Sequence, residues 1–164
     1  MIPTHRLVEA ATAAQFAGAR ALIEEYAARL GALIGIDLGF QDFSGELSRL
    51  PYMYGPPSGC LMLAGRDDEW IGCCALRRFD DHVCEMKRLY VRPGARGLRL
   101  GQQLAQSVVT KARMLGYGRI VLDTLQDMIA AQRLYRSLGF RETEPYYCNP
   151  MAGVTYMELI LRSE

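Results

Sequence analysis

Between residues 60 and 91 the chain alternates apolar stretches with short polar breaks, and three strands are predicted there: 60–64, 70–77 and 82–91. GRDDE separates the first two as a hairpin turn, and FDD follows the second. Upstream, 5–11 suits a short opening strand. Thr12 is placed to cap a helix whose apolar positions Phe16, Ala19, Ile23, Ala27 and Leu30 recur at helical spacing. Residues 31–42 are expected as loop, 43–50 as a short second helix, and PYMYGPPSG at 51–59 as turn throughout. Downstream, Leu100, Leu104, Val108, Ala112 and Leu115 fall on one helical face, and 119–125 is a β-rich run. A helix over 128–138 presents Ala131, Leu134, Tyr135 and Leu138 on one side and stops at Gly139. Strands at 140–143 and 155–161 close the chain around a loop holding Pro145, Asn149, Pro150 and Gly153. Hairpins mixed with single crossover helices imply one α/β domain over 1–164. Its sheet is mixed but mostly antiparallel and twisted, of six or seven strands, with helices on both faces.

Composition narrows the partners. The chain has 164 residues, 50% of them hydrophobic and 23% charged, with a formal net charge of +1. That balance gives no electrostatic case for nucleic acid or an anionic membrane. No apolar run approaches the ~20 residues of a membrane span, and MIPTHRLVEA lacks the layout of a signal peptide. The five cysteines (60, 73, 74, 84 and 148) are odd in number and form no CxxC, which points to reduced thiols in a cytoplasmic protein. With only His5 and His82, no metal site is expected. His82 and Cys84 would share one strand face, which leaves a thiol-dependent hydrolase as a minor alternative.

The most informative stretch is RPGARGLRLGQQLAQ at 92–106. A strand runs into a glycine-rich turn and then into a helix start near Arg99 or Leu100. This layout aims free backbone N–H groups and the positive end of the helix dipole at one spot, where a pyrophosphate would fit. Arg96 beside it can add charge-assisted hydrogen bonds.

From about Glu85 to Phe140 the sequence resembles the Gcn5-related N-acetyltransferase superfamily. CEMKRLYV stands for its strand, Arg96-Gly97-Leu98-Arg99-Leu100-Gly101 for its [Q/R]xxGx[G/A] turn, and LYRSLGF at 134–140 for its LYxxxGF helix; TYMELIL at 155–161 is similar to endings of the family. The resemblance implies acetyl-CoA as donor, an amine of a small molecule, amino acid or peptide as acceptor, direct transfer in a ternary complex, and homodimers as a common assembly. It implies pyrophosphate contacts from the backbone of Arg96, Gly97, Leu98, Arg99, Leu100, Gly101 and Gln102. It likewise implies pantetheine pairing along Leu89, Tyr90 and Val91, with a backbone N–H near Leu89 supporting the thioester oxygen. Glu85 aligns with a general base and Tyr135 with the acid that protonates the departing thiolate, next to the cofactor. Glu85 and Lys87 could otherwise form solvated charges on one strand face, and Asp42, Glu46 and Glu144 are further carboxylates within reach.

Two positions depart from the family pattern. Arg99 replaces a glycine, which calls for a backbone in a common region with its side chain outward. Met128 stands where family members often have Asn. These departures motivate a rival from a different class, a non-catalytic acyl-CoA-binding regulatory module on the same scaffold. The acceptor would be framed by 31–43, 51–59 and 145–153, rich in Tyr52, Tyr54, Tyr146 and Tyr147.

Overall fold

In the computed structural model of the chain, which describes residues 4–35 and 38–161, seven strands form one sheet in the order β1-β2-β3-β4-β5-β7-β6. The strands are β1 His5–Glu9, β2 Cys60–Arg66, β3 Glu69–Arg78, β4 Val83–Val91, β5 Arg119–Leu125, β6 Arg141–Glu142 and β7 Val154–Ile160. The helices are α1 Ala13–Ile34, α2 Phe43–Ser48, α3 Leu50–Met53, α4 Leu100–Met114 and α5 Ile129–Ser137. All neighbouring strands run antiparallel except β4 and β5, which are parallel.

Both faces of the central strands are buried, which is why they read as near-continuous apolar runs rather than clean alternations. On one face, Leu100, Leu104, Val108 and Ala112 of α4 and Tyr135 of α5 pack with Cys74, Leu76, Met86 and Leu122. On the other, Phe16, Ala19, Leu22 and Ile23 of α1, with Leu50 and Tyr54, pack with Leu61, Leu63, Cys73, Ala75 and Tyr90. The adjacent thiols of Cys73 and Cys74 thus enter opposite cores, as a period of two demands.

Local chemistry explains the element ends. Thr12 Oγ1 accepts from the Gln15 amide at 3.1 Å while Gln15 Oε1 accepts from the Thr12 amide at 3.0 Å, a reciprocal cap that starts α1. The loop expected from residue 31 begins later. The helix absorbs Gly31, runs to Ile34 and ends at Gly35, whose φ of 66° only glycine adopts freely. Of the rest of that expected loop, 36–37 lie outside the described residues and Leu38–Gln41 forms a 3-10 turn. The reading of 51–59 as turn throughout is also corrected: its start is helical, because Pro51 sits in the first turn of α3, where its fixed φ helps and its missing N–H is no loss.

Two irregularities in the sheet place the site. The first is a bulge in β4: Cys73 faces Tyr90 but Ala75 faces Lys87, so Arg88 and Leu89 together oppose Cys74. Arg88 takes φ 60° there. The second is the short β4–β5 pairing, which consists of Val83↔Arg119, Cys84↔Ile120 and Glu85↔Val121. Beyond Glu85 and Val121 the two strands part. A cleft therefore opens in the middle of the sheet.

Candidate functional site

A bulge with a left-handed arginine needs something to hold it, and α2 supplies that. Arg88 Nε and Nη2 donate to Glu46 Oε2 and Oε1 at 2.8 and 2.9 Å, with the two side chains only 5% and 1% exposed. Burial would raise the Glu46 carboxyl, but the Arg88 bonds and charge outweigh it and hold it below its usual value. The Arg88 guanidinium also lies over the Phe43 ring, 5.6 Å from its centre. Glu46 is therefore committed to this pair and is not available as a loop base.

Where β4 and β5 separate, a cavity of about 80 Å³ forms. Met86, Lys87, Arg88 and Leu89 wall it from β4, and Asp123, Thr124 and Leu125 from β5. Tyr135 of α5 lines it too. Burial pushes the Tyr135 phenol well above its usual range, and its hydroxyl has no hydrogen-bond partner among the described residues. It is thus a protonated donor facing a cavity.

A larger groove of about 570 Å³ continues outward between α1 and the start of α5, lined by Leu89, Tyr90, Val91, Arg96, Met128 and Leu134. The two spaces share Tyr26, Leu30, Leu89, Met128 and Ala131. Leu89 and Val91 pack half-buried against the α4 core. Tyr90 turns its ring to the α1 side, donating from its hydroxyl to Glu25 Oε2 at 2.7 Å. Arg96 Nε donates to Val91 O at 3.3 Å at the groove's end, and its amide donates to Pro93 O.

Next comes the helix start. Thr12 caps α1, but no side chain caps α4, so the amides of Leu100, Gly101 and Gln102 meet no capping group. Gly97 has φ 89° with nothing near the position a Cβ would take; the backbone angle alone requires glycine. Leu98 is exposed and Leu100 buried, pinning the helix to the core. Arg99 corrects an expectation. Its side chain is outward, but its backbone lies at φ 57°, ψ 23°, in the left-handed region itself. Relief of that strain, about 1–2 kcal/mol, exceeds the extra entropy glycine carries when unfolded, about 0.5–1 kcal/mol. Arg99→Gly is therefore expected to raise Tm by about 2 °C in thermal unfolding, a gain absent from Arg99→Ala.

The carboxylates fall differently from their order of prominence in the sequence. Glu85 is 1% exposed, accepts from Arg77 Nε at 2.7 Å and from the Tyr146 hydroxyl, and does not line the cavity. It is no solvated strand charge. The carboxylate that does line the cavity is Asp123, which accepts from the Tyr147 hydroxyl and from Asn149 Nδ2 at 2.8 Å. Its signal in the sequence is one acid inside the apolar run RIVLDTL. Adjacent tyrosines thus bolt the 145–153 loop to both diverging strands, Tyr146 to β4 and Tyr147 to β5.

Cys84 is fully buried and burial pushes its thiol up to about 12, while His82 lies exposed in the preceding turn; the thiol-hydrolase alternative has neither a thiolate nor an aligned base. Among the described residues no His, Cys, Asp or Glu cluster suits a metal, and no helix is long and apolar enough to cross a membrane.

Residues 37–140 match the Acetyltransferase (GNAT) family. An uncharacterized N-acetyltransferase of Schizosaccharomyces pombe is 46% identical over 141 residues, covering 84% of this chain and 83% of its own. N-acetylaspartate synthetase of Danio rerio is 34% identical over 99 residues, 58% of this chain and 35% of its own. Among solved structures, an acetyltransferase from Streptococcus agalactiae has a TM-score of 0.78 at 23% identity, covering 96% of this chain and 98% of its own. A Salmonella typhimurium acetyltransferase solved with its cofactor acetyl-CoA has a TM-score of 0.68 at 20% identity, covering 98% and 95%.

Proposed function

The chain belongs to the acetyltransferase (GNAT) family, and from that premise we propose that it moves an acetyl group from acetyl-CoA to an amine by direct attack in a ternary complex. One observation carries the reading: the β4–β5 cleft joins a long groove to a small cavity, and a protonated tyrosine and a carboxylate line that cavity. The residues present fit the donor. The groove is lined largely by apolar side chains, Leu89 to Val91 of β4 border it, and Arg96 lines it four residues before the uncapped start of α4, a chain order that suits a diphosphate held by the guanidinium and those amides.

Acetyl-CoA supplies an activated thioester. The protein's part is to orient it, take one proton and give another. An amine of pKa ~10 arrives mostly protonated, so a carboxylate must bind the ammonium and remove its proton. Asp123 fills that role because it lines the cavity; Glu85, reached through Tyr146, serves to hold the loop. Tyr135 donates its proton to the departing thiolate. The backbone at the Arg88–Leu89 bulge supports the developing oxyanion.

The experiment is thiol release from acetyl-CoA with an amine panel. Asp123→Asn is expected to lower kcat/KM by about 100-fold, and Glu85→Gln by less than about tenfold. The reverse ranking would return the base role to Glu85. Acetyl-CoA binding without turnover of any amine would favour the non-catalytic module.

A further inference from the structure

Thr124 of β5 lines the same cavity as Tyr135, and the acyl-transfer reading leaves it without a task. It is 7% exposed, and its hydroxyl pairs with no side chain or carbonyl among the described residues. The oxygen is not sealed off, and the open space that Thr124 lines is the cavity. A buried hydroxyl without a partner is unfavourable, and valine would fill the same volume without that cost.

The topology sets this hydroxyl level with the chemistry. Residues of β4 and β5 pair in one register, from Val83↔Arg119 to Glu85↔Val121. Carried past the point where the strands part, that register puts Thr124 across from Arg88, at the β4 bulge. Side chains along a strand alternate between faces. Thr124 therefore points to the side of Ile120 and Leu122, into the α4–α5 core that contains Tyr135. Asp123 points to the other side, where the 145–153 loop holds it. The cleft thus divides its chemistry, with the carboxylate on one face and the hydroxyls of Thr124 and Tyr135 on the other.

We propose that Thr124 is a second catalytic hydroxyl, whose Oγ1 donates a hydrogen bond to the departing thiolate beside Tyr135. This rests on the acyl-transfer reading above and adds a residue to it. As the amine nitrogen bonds to the carbonyl carbon, the C–S bond breaks and its electron pair goes to sulfur. The amine gives its proton to Asp123, and sulfur takes the proton of Tyr135. Water returns a proton to Tyr135 and takes one from Asp123 between turnovers. Thr124 keeps its own proton throughout. It lends a hydrogen bond that is strongest while the sulfur carries charge.

The first test needs no acceptor. Bound CoA carries the same sulfur, and its thiolate absorbs in the ultraviolet, so its titration is read as the difference between loaded and empty protein. Thr124→Val removes the hydroxyl at nearly constant volume, and Thr124→Ser keeps it. Thr124→Val is expected to move the midpoint of bound CoA up by about one pH unit, the tenfold loss of one hydrogen bond to a charged partner. Thr124→Ser should stay close to wild type. Single-turnover thiol release with the best amine of the panel should fall about tenfold in Thr124→Val and recover in Thr124→Ser. Acetyl-CoA affinity and Tm should stay near wild type in both. A midpoint unmoved in Thr124→Val overturns the proposal, as does one moved equally far in Thr124→Ser. A loss of rate matched by an equal loss of acetyl-CoA affinity also overturns it, because Thr124 is then a binding contact alone. Thr124→Ala repeats the measurement should the valine variant fold poorly. No release with any amine sinks the transfer reading instead, and the midpoint still reports the contact with sulfur. No binding of CoA at all overturns both.

Discussion

Tyr135→Phe is expected to lower kcat by about 100-fold or more while leaving acetyl-CoA affinity and thermal stability close to wild type. The split follows from the setting of the hydroxyl. The ring is packed in the α4 core beside Phe140, with ring centres 5.8 Å apart, and phenylalanine keeps that packing. The hydroxyl bonds to no described residue, so its removal takes nothing from the resting fold. On the proposed reading, what is lost is the proton donor to the departing thiolate, a role absent from the resting state. Steady-state kinetics with calorimetry checks this. A fall in Tm with intact kcat would make Tyr135 a core residue alone.

Glu46→Gln is expected to destabilise the protein by about 3–5 kcal/mol, on the order of 10 °C in Tm. It strands the Arg88 charge in a site 5% exposed. Replacing both partners together, Glu46→Leu with Arg88→Met, should recover much of the loss, because no orphan charge then remains. The pH dependence has a definite sign. The Glu46 carboxyl in the folded chain lies below its usual value, held there by the Arg88 bonds and charge against the effect of burial. Its contribution is therefore complete above that value and lost as pH falls through the folded pKa. Chemical denaturation between pH 7 and pH 3 reads it directly. Activity should fall as well, because the pair holds the bulge that sets the backbone at Leu89.

The elements were legible wherever one local signal decided them. Thr12, Gly139 and the 119–125 run each act over a few residues, and the structure places all three as expected. Gly31 and Pro51 misled because a breaker residue carries different weight by position: absorbed within a long helix, or favourable in a first turn. Arg99 misled for another reason. Its neighbours, with Leu100 buried and Gly97 at positive φ, dictate a left-handed turn whatever residue occupies it. Of the candidate site, the main-chain parts and Tyr135 could be read from a continuous motif. Asp123, the Arg88–Glu46 pair and the two loop tyrosines could not, since their partners lie 24 to 61 residues away in the chain. Long-range pairing carries no local period.

The parting of β4 from β5 has a consequence for the resting protein. It leaves an edge inside the sheet, a place where a β structure is ordinarily at its weakest. A ligand whose amides run along that edge acts as the absent rung. Folding stability should then track the supply of the coenzyme: at a free concentration a hundred times Kd, the bound form gains about 2.7 kcal/mol, and amide exchange along the far half of β4 should slow in step.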